Sequence, residues 1–256
     1  MATALITGAS GGIGYELANV FAKNHYNLVL VARSKERLEF AQKELTTTYP
    51  ITVTIIAKDL SLPAAAKELY DETTAQKIPI DILVNNAGFG ISGSFAATTI
   101  EEQTALLELN IVALTKLTHY YLKDMLARNS GKILNVASIA AFQPGPGMAT
   151  YYASKSYVLS LTSALHHELR KTGVSVTALC PGPTKTGFGT RAGITNSRLF
   201  AHAVDAAYVA QKAFDGLMKK KRIVIPGALS TITARAAPFL PTSSTMHIVD
   251  KLHESP

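Results

Sequence analysis

Short apolar runs alternate with longer stretches of helical period along almost the whole chain. The runs Thr3–Thr7, Asn27–Val31, Thr52–Ala57, Ile80–Val84, Lys132–Val136, Val174–Leu179 and Arg222–Ile225 read as strands, most of them nearly continuous in aliphatic residues. Between them the spacing predicts helices near Gly12–Lys23, Lys35–Thr47, Pro63–Gln76, Glu101–Arg128, Tyr151–Lys171 and Asp205–Lys219. Ser34 stands where it would cap the second helix, and Gly173 where it would end the fifth. This repeated order predicts an α/β fold, a parallel sheet with helices on both faces, in a single domain spanning 1–256. Two segments break the rhythm. Residues 183–202, rich in Gly, Thr and Ser, form a long connection after the sixth strand. Residues 227–256 place three prolines among scattered apolar residues, which predicts short helices closing one side. Such connections at the carboxyl ends of strands are where open α/β sheets take their substrates.

Composition narrows the class. With 47% hydrophobic and 17% charged residues among 256, the chain has ample apolar material for one core, which excludes a disordered or disulfide-scaffold protein. The one cysteine, Cys180, forms neither an internal disulfide nor a zinc site by itself and suits a reducing compartment. No export signal opens the sequence, and no run approaches about 18 apolar residues, so a cytoplasmic protein without a transmembrane segment is expected. The net charge of +7 raises nucleic acid, anionic membrane or an acidic ligand as partners. Its distribution is uneven: residues 181–256 hold ten of the 25 basic side chains against four of the 18 acidic ones. Lys219-Lys220-Lys221-Arg222 supplies four of them, either a solvated patch or an attractor for an acidic substrate carrier or membrane surface.

Candidate chemistry begins where the first strand opens into Thr7-Gly8-Ala9-Ser10-Gly11-Gly12-Ile13-Gly14. Glycines let the backbone turn sharply and approach a ligand, and the following helix start offers free amides to a pyrophosphate. The second strand ends Leu30-Val31-Ala32-Arg33-Ser34, with Ala where a carboxylate would bind a free ribose 2′-hydroxyl and Arg next to it. A guanidinium binds a 2′-phosphate through paired, charge-assisted hydrogen bonds, so NADP(H) is the expected cofactor.

Tyr151 and Lys155 lie one helical turn apart, Ser138 ends the fifth strand, and Asn110 interrupts the apolar pattern of the fourth long helix. A carbonyl reductase needs a proton donor for the substrate oxygen as hydride reaches carbon. An ammonium about 4 Å from a phenol favours tyrosinate by up to about 4 kcal/mol at an effective dielectric near 20. That would bring the phenol near neutral pH. Lysine is then the tuner, tyrosine the acid–base and the serine hydroxyl a donor to the substrate oxygen.

Taken together, the chain resembles a short-chain dehydrogenase/reductase across about residues 3–226. The resemblance rests on Thr7-Gly8-Ala9-Ser10 with Gly12-Ile13-Gly14, Asp59-Leu60, Asn85-Asn86-Ala87-Gly88, Asn110, Ser138, Tyr151 with Lys155, and Pro181-Gly182. It implies a Rossmann-type, doubly wound sheet of seven parallel strands, assembled as a homodimer or homotetramer. It implies that Lys155 binds the nicotinamide ribose and that Asn110 holds a water in a proton relay. Asp59 and Leu60 would flank the adenine, and Asn85, Ala87 and Gly88 would line the ribose. Pro181, Gly182, Thr184 and Thr186 would contact the carboxamide. Members that use NADP often carry a basic residue within the glycine loop where this chain has Gly11, which leaves most of the 2′-phosphate recognition to Arg33, with the adjacent Ser34 also among the cofactor-binding residues. The Tyr-x-x-x-Lys spacing argues against the enoyl-reductase branch.

By the same analogy the substrate pocket draws on Phe89, Ile91, Ala140, Phe142, Met148 and the 183–202 connection, which favours an apolar ketone or aldehyde and its alcohol. The stripes carrying Leu114, Leu117, Tyr121, Leu165 and Leu169 serve either a two-fold interface or the subunit's own core. His119, His166 and His167 lack metal-ligand spacing, so no metal site is expected. Two other classes stand beside the oxidoreductase. A non-catalytic NADP-binding regulator would more naturally have lost Tyr151 or Lys155. A basic surface binder of membrane or nucleic acid rests on charge alone, without an aromatic–basic RNA motif, so nucleic acid is not expected.

Overall fold

The computed structural model describes residues 1–194 and 197–253. Parts of the 183–202 and 227–256 segments, residues 195–196 and 254–256, lie outside the described residues. Seven strands, β1 (Thr3–Thr7), β2 (Asn27–Ala32), β3 (Val53–Ala57), β4 (Ile82–Asn85), β5 (Gly131–Val136), β6 (Val174–Leu179) and β7 (Ile223–Val224), form one parallel sheet in the order β3-β2-β1-β4-β5-β6-β7. The chain reverses its direction of travel across the sheet between β1 and β4. Outside the carboxyl ends of such a pair, two crossovers leave in opposite directions and open a crevice.

Alternating strand residues serve opposite faces. Ile6, Leu28 and Leu30 join the cluster under α1 (Gly12–Lys23) and α2 (Lys35–Thr48), while Leu5, Val29 and Val31 join the one under α3 (Ala65–Ala75). Ser34 does cap α2, its hydroxyl accepting from the Arg37 amide. The long helix expected over 101–128 is three pieces: α4 (Ile100–Leu107), a π turn (Glu108–Ala113) and α5 (Leu114–Ala127). The π turn contains Asn110, the polar residue that breaks the apolar period. Leu114, Leu117, Tyr121 and Leu169 are buried in the chain's own clusters, and Leu165 packs against the same core, so that stripe is interior rather than a free interface.

α6 (Ala149–Glu168) runs on as a 3-10 turn (Leu169–Lys171) that ends two residues before Gly173, and Gly173 does not take the left-handed conformation of a helix cap. Gly173 instead lies where a Cβ would collide with the Asn129 carbonyl oxygen. Between the helices on this face, Asn85 donates to Thr118 and Asn135, and Asn135 donates to Thr162, a buried amide chain from β4 to α6.

After β6 the connection forms α7 (Phe188–Ala192) and a 3-10 turn (Arg198–His202) before α8 (Ala206–Met218), which packs against α1. The tail forms α9 (Ala228–Ala236) and α10 (Thr242–His253), the expected short helices on one side. Lys219–Arg222 join α8 to the amino end of β7 and line no part of the cavity described below, so they do not guard its mouth. Among the described residues, no helix is long and apolar enough to cross a membrane.

Candidate active site

A cavity of about 1020 Å³ runs along the carboxyl ends of the strands. One end is built on the glycine turn. Gly8 has φ +68° and Gly12 +55°, and a Cβ on Gly8 would stand 2.8 Å from Asn86 Nδ2 and 2.9 Å from Ala87 Cα, so the conformation and the space both require glycine. No side chain caps α1, which leaves its first amides as donors toward the cavity wall formed by Gly8, Ser10, Gly11, Gly12 and Ile13. Arg33, Ser34, Asp59, Leu60, Ala87, Gly88, Pro181, Gly182, Thr184 and Thr186 line the same cavity.

Three expected residues do not reach the wall. Gly14 packs against the Gly8 carbonyl and permits the turn rather than touching a ligand. Asn85 is buried in the amide chain beneath the sheet, and its neighbour Asn86 takes the lining position, donating to the carbonyls of Thr7 and Gly8. Asn110 lies behind the wall, where its side chain accepts from the Phe89 amide at 3.1 Å and donates to the Phe89 carbonyl at 3.0 Å and to Ser154 at 3.1 Å. With the amide group so engaged, any water it helps to hold falls to the main chain of the π turn.

Ser138, Tyr151 and Lys155 converge on the middle of the cavity. Ser138 caps the turn after β5, accepting from the Ala140 amide at 3.1 Å, and its hydroxyl is hydrogen-bonded to the Tyr151 phenol. Lys155 Nζ donates to the Val136 carbonyl at 2.9 Å and stands 5.8 Å from the Tyr151 ring centroid. Burial pushes the phenol up to about 12, against a smaller lowering by Ser138, and burial pulls Lys155 down to about 8. The expected drop of the phenol toward neutral pH is therefore absent from the protein alone. Desolvation penalises both charged forms, and the lysine points to a backbone carbonyl rather than to the phenolic oxygen. Cys180, also buried here, is raised to about 12 by burial.

The far end is apolar. Ala140 and Met148 line it as expected, but Phe89, Ile91 and Phe142 pack behind it. Its other walls come from Phe188 and Phe200 and from the tail, where Ile232, Leu240, Ile248 and Leu252 face the cavity. The spacing Thr245, Ile248, Val249, Leu252 is one face of a helix, a signal present in the sequence that points to α10 as a wall. Two basic residues that no sequence motif pointed to, Arg37 and Arg191, also line the cavity. Among the described residues no group of three or more His, Cys, Asp or Glu gathers as metal ligands would.

A family model described as short chain dehydrogenase matches residues 2–196. A short-chain dehydrogenase from Sphingobium yanoikuyae, solved with NADPH, is 34% identical with a TM-score of 0.83 over 89% of each chain. The bulky-bulky ketone specific alcohol dehydrogenase of Comamonas testosteroni is 31% identical with a TM-score of 0.79, covering 93% of this chain and 92% of that one. A Burkholderia phymatum protein solved with NAD shares the fold, with a TM-score of 0.83 at 24% identity over 91% of this chain and 92% of its own.

Proposed function

This chain belongs to the short-chain dehydrogenase/reductase family, and from that premise we propose an NADP(H)-dependent oxidoreductase that interconverts an apolar ketone or aldehyde and its alcohol. The observation that carries the reading is the meeting of Ser138, Tyr151 and Lys155 on a cavity whose one end is an uncapped, glycine-rich helix start. The residues fit a nicotinamide dinucleotide. A side chain on Gly8 or Gly88 would press into the protein around the cavity, the Gly88 Cβ lying 2.9 Å from Asn110 Oδ1, so bare backbone faces the ligand space at both positions. The first amides of α1 suit a pyrophosphate, and Arg33 suits a ribose 2′-phosphate.

When bound, the nicotinamide supplies or accepts the hydride. The chain's own task is the proton. Tyr151 holds it on a phenol raised to about 12, so at neutral pH the residue stands ready as the acid that protonates a carbonyl oxygen. Ser138, already bonded to that phenol, donates its hydroxyl to the same oxygen and fixes its position. Lys155, held at the Val136 carbonyl, offers its remaining donors to the ribose. The apolar tail helices exclude water from the reacting end and favour a substrate with a hydrophobic body.

A panel of bulky apolar ketones assayed with NADPH and with NADH tests the reading. Turnover should favour NADPH, and Arg33→Asp should reverse the preference by raising the NADPH KM at least about tenfold. Equal use of both cofactors by the native protein would sink the NADP assignment, and no turnover of any carbonyl would sink the reaction.

A further inference from the structure

The nucleotide end of the cavity carries more positive charge than its own carboxylate balances. Among the described lining residues, Arg33, Arg37, Lys58, Lys155 and Arg191 are basic, and Asp59 is the one acid. Lys58 is already held by Glu68 at 3.0 Å and Glu72 at 3.8 Å, and Lys155 is bound at the catalytic centre. Two guanidinium groups, Arg33 and Arg191, therefore share Asp59, and against the rise from burial each helps the Ser61 hydrogen bonds hold its carboxyl below the usual range. That carboxylate accepts from the Ser61 amide at 3.0 Å and the Ser61 hydroxyl at 2.7 Å, with Arg33 at 4.0 Å.

Arg191 comes to this place from another part of the chain. It projects from α7, on the connection after β6, and its guanidinium carbon lies 4.1 Å from the centroid of the Phe89 ring. Contact with a ring face holds a guanidinium in place while leaving N–H donors for an anion. Partial burial and the nearby Arg33 both lower its pKa, and Asp59 pulls it back only in part. Two guanidiniums that repel one another across a single, already engaged carboxylate form an arrangement that a dianion would relieve.

Resting on the NADP(H) reading above, we propose that Arg191 is a second specificity-determining residue for the ribose 2′-phosphate, closing on it from α7 while Arg33 meets it from the end of β2. The phosphate then bridges the sheet to the substrate-side connection. Three residues before Arg191 on the same helix, Phe188 packs against Tyr151 with ring centroids 5.3 Å apart. Phosphate recognition and one wall of the reacting centre thus belong to a single short helix.

Calorimetric titration of the full chain with adenosine 2′,5′-bisphosphate and with adenosine 5′-monophosphate isolates the 2′-phosphate without turnover. The native protein should bind the bisphosphate more tightly. Arg191→Gln should weaken the bisphosphate about tenfold and leave the monophosphate within about twofold, and Arg191→Lys should fall between. Arg191 is exposed, so an unchanged melting temperature should accompany these shifts. An equal loss for both ligands, or no loss for either, would overturn the role of Arg191 while leaving Arg33 and NADP(H) standing. A native protein that does not distinguish the two ligands would overturn the NADP(H) reading and this inference with it.

Discussion

Tyr151 and Lys155 are displaced in opposite directions, the phenol up to about 12 and the ammonium down to about 8, and burial is the main cause of both. At neutral pH the phenol therefore carries its proton, beside a lysine that gives up its own more easily than usual. Removing the hydroxyl by Tyr151→Phe should lower kcat for carbonyl reduction by about 10²- to 10⁴-fold. NADPH affinity, measured by fluorescence titration, should stay unchanged, because the nucleotide end is untouched. Activity near the native level would overturn the proton assignment. At this scale the sequence was informative wherever a residue's chemistry is tied to its spacing. Tyr151, Lys155 and Ser138 meet as their order implies. It misled at Asn85, since which of two adjacent asparagines faces a cavity depends on the strand's face, and Asn86 won that position.

Among the elements, the helices with the clearest apolar period appear where expected, and the departures have local causes. Asn110 turns one long helix into two around a π turn because its side chain is drawn to the Phe89 backbone. β7 has only two residues because it pairs only with Ala178 and Leu179 at the carboxyl end of β6. α10 was legible as a short helix, but its role was not, since a wall is made by docking and docking is a tertiary event. Its outward half gives a test. Ile248 is 50% exposed yet lines the cavity, so Ile248→Asp should leave the melting temperature nearly intact. It should raise KM for a bulky apolar ketone about tenfold, by setting a charge against the substrate's hydrophobic body. An unchanged KM across a series of ketones of growing size would remove the tail from the substrate site.

For the molecule as a whole, buried ionisable groups set the response to alkali. Lys155 has a folded pKa of about 8, below its ordinary value, so between about 8 and 10 the unfolded chain binds more protons and stability rises with pH. Tyr151, raised to about 12, contributes stability that is present below about 10 and lost as pH climbs through 12, and the raised Tyr121 and Tyr152 act in the same sense. The melting temperature followed by circular dichroism should therefore hold or rise to about pH 10 and then fall, with tyrosinate absorbance appearing at unfolding. A fall that begins at pH 8 would contradict the buried lysine. The α/β class was legible because strand and helix alternate along the chain. The shape of the cavity was not, because its walls come from segments as distant as Gly8 and Leu252. The buried amide chain has a further consequence, for folding. Asn85 and Asn135 stand opposite each other in the β4–β5 ladder, among Leu, Val and Ile residues that fit nearly any offset. A slip of one residue turns the Asn135 amide to the other face, and a slip of two parts the pair and strands both amides in hydrocarbon. Two asparagines thus serve as a registration mark, penalising the mispaired sheets in which the residues that carry the chemistry would not meet.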